Sequence, residues 1–597
     1  MGLLIAALLA FLLAPAPFLT QRAAREHASQ KPSASGRKAA IYPVDPRQSG
    51  PAWFVDVSRQ AGLMALDVNG GESSKRYIIE TTGSGVAVID YDRDGWPDIY
   101  VANGAFSEGK PSNFSVSPTG HLYHNNHDGT FTDVTHKAGL VTSGWGQGAC
   151  VGDYDNDGWD DLYLTFYGTN RLFHNNRDGT FREVAQEAGV AGTGKQWGTG
   201  CAFVDYDRDG RLDIMVANYV RFDEDTAPKP GEGQMCVWKG TPVMCGPRGL
   251  PYTTNTLFHN EGSGRFSNAT MSSGIAHTDG HYCFSVSTLD YNDDGWPDLY
   301  LACDSTPSIL YRNNKNGTYT DVGADAGAAF DEDGREQAGM GSTVGDFDGD
   351  GLPDIFKTNF SDDTSSLYRN NGNGTFTSRI FEAGLGLNTK YLGWGVMFVD
   401  VNNDGWPDLL LANGHVYPEV DTAHLGSSYE EPRLLYLNLG NKKFQDISRQ
   451  AGPGLLDARS GRGLAVADFW NDGRISAVVN NMGAIPALLV NVAPHPNHWL
   501  GLRLRGTQSN ADGIGARVTL VGSDGRRYVQ EVRSGSSYNS SSDLRLHFGL
   551  GTANGASTID VRWPSGFQER FTAEGSDRIV MLTEDTGESR AAKATAR

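Results

Sequence analysis

Asp90-Tyr-Asp-Arg-Asp-Gly-Trp-Pro-Asp98 is the stretch from which the rest of this 597-residue chain can be read. Carboxylates stand at places one, three, five and nine (Asp90, Asp92, Asp94, Asp98), with Gly95 at place six. The same grammar returns as Asp153, Asp155, Asp157, Asp161, and as Asp205, Asp207, Asp209, Asp213. With one Asn it returns as Asp290, Asn292, Asp294, Asp298, then intact as Asp346, Asp348, Asp350, Asp354, and again with Asn as Asp400, Asn402, Asp404, Asp408. A seventh copy keeps Asp468, Asp472 and Gly473 but has Trp470 and Ser476 at ligand places. Oxygen ligands at alternate places, a Gly for the sharp turn and a backbone carbonyl at place seven describe a calcium loop. No Glu stands at place twelve, so this is not the EF-hand; the Asp at place nine closes the cage. About six Ca2+ sites are expected, none at the damaged seventh loop.

Charge agrees. The six intact loops hold 22 carboxylates of a chain whose net charge is −21. Six divalent cations would bring −21 to −9, so much of the acidity reads as metal sites. The balance argues against nucleic acid and anionic membrane surfaces as partners. Gly, at 75 residues, is nearly twice its usual ~7% share, which suits many tight turns.

Each loop lies inside a longer unit. A run of small and apolar residues enters it, as in Gly83 to Asp90, and an apolar strand leaves it, as in Asp98 to Asn103. After a variable gap come Leu122-Tyr-His-Asn-Asn126, an Asp-Gly turn and Phe131-Thr-Asp-Val-Thr135. Later copies read Leu172 to Asn176, Leu310 to Asn314 and Leu367 to Asn371. These are four short strands per unit, joined by hairpin turns. The first Asp residues fall 63, 52, 85, 56, 54 and 68 residues apart, the period of a β-propeller. Seven loops imply seven blades. The seventh unit lacks a fourth strand, and the orphan Phe54-Val-Asp-Val-Ser-Arg-Gln-Ala-Gly62, nearly a copy of Phe444 to Gly452, supplies it and closes the ring. The expected fold is all-β: a propeller over 51–493, then period-two strands over 497–586 forming a small antiparallel β-sandwich or barrel.

Residues 1–24 contain an apolar run that reads as a secretory signal or an uncleaved anchor. Residues 25–50 read as a linker and 587–597 as a disordered tail. Among the six Cys, Cys236 with Cys245 and Cys283 with Cys303 are candidate disulfides, whereas Cys150 and Cys201 read as buried thiols. His124, His174 and His259 recur at one strand place where Arg312 and Arg369 stand later, which argues for a half-exposed strand position over a ligand. Trp96, Trp159, Trp296 and Trp406, at place seven, read as packing between blades.

From about residue 51 the chain resembles proteins that join FG-GAP/VCBS-type repeats to an ASPIC/UnbV domain, a family related to an acidic secreted cartilage protein. The segments carrying the second resemblance are Asn510-Ala-Asp-Gly-Ile-Gly-Ala-Arg-Val518, Leu546 to Gly551 and Val561 to Gly566. The resemblance implies secretion, calcium-stabilised repeats and an interaction role, with no established catalysis.

Two functional readings stand: a secreted, non-enzymatic binding protein for extracellular protein or glycan, or an exported enzyme, such as a carbohydrate-active hydrolase or lyase, with its catalytic groups in long loops. No G-x-S-x-G and no phosphate loop occurs. In a four-stranded blade the calcium loops and Asp-Gly turns share one face, and the second-to-third strand connections share the other. The long connections at about 104–121, 219–256 and 414–433 therefore gather on the second face. Trp238, Arg248, Tyr252, His415, Tyr417 and Glu419 are the candidate ligand contacts there.

Overall fold

Short strands separated by Asp-Gly and Asn-Gly turns cannot bury their faces alone, so they stack. The computed structural model describes residues 41–43, 50–71, 74–107, 117–277, 280–494 and 496–590. It contains seven four-stranded antiparallel sheets. The first is built of Val86–Ile89, Asp98–Val101, His121–Asn125 and Phe131–Asp133. Innermost strands of consecutive sheets pack against one another around a closed cycle, so that Val86–Ile89 touches both Gly146–Gly152 and Gly461–Ala467. The expected closure is present. Phe54–Asp56 pairs antiparallel with Ala487–Asn491, in the register Phe54 to Asn491 and Asp56 to Leu489. That pairing makes the last blade from both ends of the propeller chain.

The inner strands approach so closely that only Gly fits at some places. A Cβ on Gly341 would lie 2.1 Å from the Trp394 carbonyl oxygen of the next blade. On Gly85 it would lie 1.7 Å from the carbonyl oxygen of Asn539, which belongs to the C-terminal domain. The C-terminal domain therefore reaches into the channel.

The C-terminal domain has a five-stranded sheet, including Arg517–Gly522 and Ala556–Arg562, and a three-stranded one centred on His498–Arg505. The expected antiparallel sandwich needs one correction. His498–Arg505 pairs in parallel with Arg578–Thr583, because the chain crosses to the other sheet before it returns. Two boundaries also move. Glu588–Ser589 pairs with Glu569 and Arg570, so order extends past residue 586. Tyr42, read as linker, is buried against Trp470 and donates its hydroxyl to the Gly129 carbonyl. The expected signal or anchor over 1–24 and the residues from 591 lie outside the described residues, as does 108–116 within the first long connection. No described helix is long and apolar enough to cross a membrane.

Both candidate disulfides form, Cys236–Cys245 and Cys283–Cys303. Cys150 and Cys201 are not free thiols. They form a third bridge, which staples the innermost strands of the second and third blades. Reading each strand alone hides this contact, since the two Cys face each other across blades and not across a hairpin.

Candidate metal loops and the long-loop face

Every Asp-rich loop is wound the same way. The residue at place four takes the left-handed conformation, at Arg93, Asn156, Arg208, Asp293 and Asn403, and Gly349 fills that place in the fifth copy. The place-six Gly is left-handed too, and its N–H donates to the place-one carboxylate, as Gly158 does to Asp153 at 2.6 Å. This winding turns the side chains at places one, three and five inward. Carboxylate oxygens of Asp90, Asp92 and Asp98 come within 4.8 Å of one another, as do those of Asp153, Asp155 and Asp157. Asp92 Oδ1 and Asp207 Oδ1 are buried without a hydrogen-bond partner. Inward, orphaned carboxylate oxygens are the donor set a hard divalent cation takes, so the residues fit such an ion.

The electrostatics agree. Burial pushes the place-nine carboxyls of Asp98, Asp161 and Asp213 up to about 7, offset in part by hydrogen bonds from the neighbouring His. Those of Asp298, Asp354 and Asp408 rise well above the usual range, again by burial. At place one, burial and neighbouring carboxylates lift Asp205 and Asp400 to about 8. These groups lack a positive partner sufficient to hold them ionised.

The seventh loop keeps its winding, with Gly473 N–H on Asp468, but Arg474 lies over Asp472 at 2.6 Å and Ser476 Oγ is buried without a partner. A guanidinium there offsets the remaining charge.

The His triplet takes the half-exposed strand place expected of it, with one addition. His124, His174 and His259 are part-exposed strand residues, yet each turns its Nδ1 over its own loop. His124 Nδ1 lies 3.3 Å from both Asp92 and Asp98. In the fifth blade Arg369 occupies that place, 2.6 Å from both Asp348 and Asp350. The shared place is a basic flank to the carboxylates, which strand periodicity alone does not show. Two of the four Trp meet a neighbouring blade as expected, Arg93 lying over Trp159 and Arg208 over Trp296, 5.6 and 4.9 Å from the ring centres, whereas Trp96 stacks on His127 of its own blade and Trp406 lies under Arg526 of the C-terminal domain.

One residue escaped sequence reasoning. The first Asn of each third-strand motif is buried and ties two blades together. Asn313 donates Nδ2–H to Tyr206 O of the preceding blade and to Pro297 O of its own loop, while its backbone N–H holds Asp298. Asn125 makes the equivalent bond to Phe469 O, across the ring closure. The available signal was recurrence in all seven units, including Asn491 in the damaged one.

The loop face is covered by the C-terminal domain. Arg503 pairs with Asp90, Asp512 accepts from Asp153 N–H, Arg562 pairs with Asp290, and Arg517 donates to Gly351 O. Arg526 donates to the Asp404 and Gly405 carbonyls and Arg545 to Asp468 O. From the same domain, the segment after Glu531 enters the propeller channel. Ser537 bridges Ser342, and Ser541 bridges Ala87. Tyr538, fully buried, donates to Thr82 O and packs on Trp394 and Phe284.

Beyond Tyr538, the opposite face is closed by the long connections. Trp238 rests on His415 and Tyr417, with ring centres 4.9 and 5.8 Å away. His415 is wholly buried: its Nδ1 accepts from Tyr417 N–H, its Nε2 meets Ser361 Oγ, and burial drives its pKa down to about 3. It is a neutral packing residue, not a surface contact, because the 219–256 connection folds over it. Tyr417 is buried as well, and Glu419 is half-buried with an unpartnered Oε2. Trp238 is half-buried, while Arg248 and Tyr252 are exposed. Of the candidate contacts, these three with Glu419 reach the surface.

Comparisons with known proteins fall on the same two parts of the chain. Residues 90–164, 153–216, 290–357 and 346–411 match the FG-GAP-like repeat, and residues 506–589 match the ASPIC and UnbV family. Cartilage acidic protein 1 of Mus musculus is 25% identical over 334 residues, covering 48% of this chain and 50% of that protein. The Homo sapiens protein is 25% identical over 350 residues, covering 51% of each. The chain thus spans about half the length of these curated relatives. Among solved structures, an Agrocybe aegerita lectin specific for non-reducing terminal N-acetylglucosamine is similar over 69% of this chain and 94% of its own, with 15% identity and a TM-score of 0.36. A rhamnogalacturonan lyase covers 71% and 92%, with 13% identity and a TM-score of 0.26.

Proposed function

Starting from a chain built of FG-GAP-like repeats and an ASPIC and UnbV domain, we propose an exported, calcium-stabilised, non-enzymatic binding protein that presents its long-loop face to an extracellular protein or glycan. The supporting observation is the occupancy of the other face: the C-terminal domain lies over the Asp-rich loops and fills the channel with Tyr538. That leaves the long connections, stapled by Cys236–Cys245, as the irregular surface on a rigid frame. Three disulfides suit an oxidising compartment. The loops would take Ca2+ through Asp and Asn oxygens at places one, three, five and nine, and its role is to neutralise carboxylates that otherwise repel. Around it, the third-strand Asn and the C-terminal arginines hold the loop backbone.

The test is capture of partners, by pull-down and glycan array, with the intact chain and with 219–256 shortened, each with and without calcium. Binding lost on shortening, with calcium-dependent melting unchanged, supports the face. Binding retained refutes it. Turnover of an arrayed polysaccharide would place the protein with the exported enzymes instead.

A further inference from the structure

The 219–256 connection does more than cover the channel mouth. Around its disulfide it encloses an open cup of about 640 Å3, lined by Arg221, Thr226, Gln234, Met235, Arg248 and Pro251 among others. That volume is within the range of small-ligand sites, roughly 300–1,000 Å3. Its charges are not equivalent. Arg248 is matched by Glu336 at 3.0 Å, and the lining Asp223 is matched by Lys195 at 2.9 Å. Arg221 is fixed by its backbone, whose N–H donates to Pro251 O, yet its exposed guanidinium has no hydrogen bond or ion pair among the described residues. The cup therefore carries one uncompensated positive charge, on a chain whose net charge is −21.

The hydrogen-bonding part of the remaining lining is the Gln234 amide and the Thr226 hydroxyl, which already donates to Asp223 O and is left as an acceptor. Ala227, Met235, Leu250 and Pro251 supply the apolar part of the lining. A pyranose ring matches that combination. Its C–H face packs on the apolar side chains, its hydroxyls meet the neutral polar groups, and a carboxylate or sulfate on it meets a guanidinium. We propose that this cup binds a short acidic saccharide, with Arg221 pairing its anionic group. The inference rests on the long-loop face being the binding face and names the ligand class. Raised salt should weaken the contact.

The test uses the whole calcium-loaded chain and four probes: trigalacturonate, its neutral methyl ester, a sulfated disaccharide and a triglutamate peptide. The carboxylated and sulfated arms identify which anionic group is preferred. Binding of either acidic saccharide, weakened at least about tenfold by Arg221→Gln and less by Arg221→Lys, is expected, because a charge-assisted hydrogen bond contributes on that scale. Melting of Arg221→Gln should match the parent, as the side chain supports no packing. The proposal is overturned if Arg221→Gln binds as the parent does, if the neutral ester or triglutamate binds equally well, or if neither acidic saccharide binds. A captured partner that is lost on shortening 219–256 while all four probes fail would sink this ligand class and leave the binding face standing.

Discussion

Asn370 and Asn371 are neighbours in sequence with opposite duties. Asn370 Nδ2 donates to Tyr291 O and Pro353 O, both out of reach of water, and its Oδ1 accepts from the N–H of Gly372 at the edge of the turn. Asn370→Ala should therefore cost about 3 kcal/mol, since buried backbone groups lose partners. Asn371 is exposed and serves a turn, so Asn371→Ala should stay within about 0.5 kcal/mol. Paired denaturant titrations check both. The loop carboxyls predict an unusual pH dependence. Their folded pKa values, about 7 at Asp98, Asp161 and Asp213, lie above the unfolded value near 3.9. Without a cation the folded chain then binds more protons than the unfolded one across that window, so stability falls as pH rises from about 4 to 7. Melting in excess chelator should drop across this range, and added calcium should abolish the trend. A chelated protein that gains stability with rising pH would contradict the burial of these groups.

At the scale of elements, the propeller was legible because its signals are local: a loop, two hairpin turns and a period. Phe54–Asp56 was legible as the closing strand because its sequence repeats Phe444–Asp446. A chain beginning at residue 70 should aggregate or melt well below the parent, having exposed the edge of Ala487–Asn491; light scattering and melting measure this, and a stable monomer would rule it out. What stayed hidden were contacts between elements far apart in sequence. The Cys150–Cys201 bridge spans 51 residues, against 9 for Cys236–Cys245. By chain entropy the longer loop contributes more, about 4 against 2.6 kcal/mol. Replacing Cys150 and Cys201 by Ala should lower the denaturation midpoint further than replacing Cys236 and Cys245, a ranking that equilibrium unfolding can reverse. The burial of His415 was equally unreadable, because it depends on Trp238 arriving from another blade's connection.

For the whole molecule, the two faces divide the work. Loop carboxylates, their basic flanks and the C-terminal arginines meet on one face, and Tyr538 carries that contact through the channel to the aromatic cluster under the other. No local pattern in residues 533–545 announces a channel plug; only the assembled ring gives that stretch its place. The central claim is that cations at the Asp-rich loops hold this assembly together. It is tested most directly by thermal unfolding of the intact chain in about 2 mM calcium, above the roughly 10⁻⁴–10⁻³ M range of extracellular modules, and in excess chelator. A melting temperature many degrees lower in chelator is expected, with a similar direction of change for Asp92→Ala in calcium; Asp472→Ala, which leaves buried Arg474 unpaired, lowers melting equally with and without calcium and so leaves the calcium-dependent shift unchanged. Superimposable melting curves of the intact chain with and without chelator would contradict the claim.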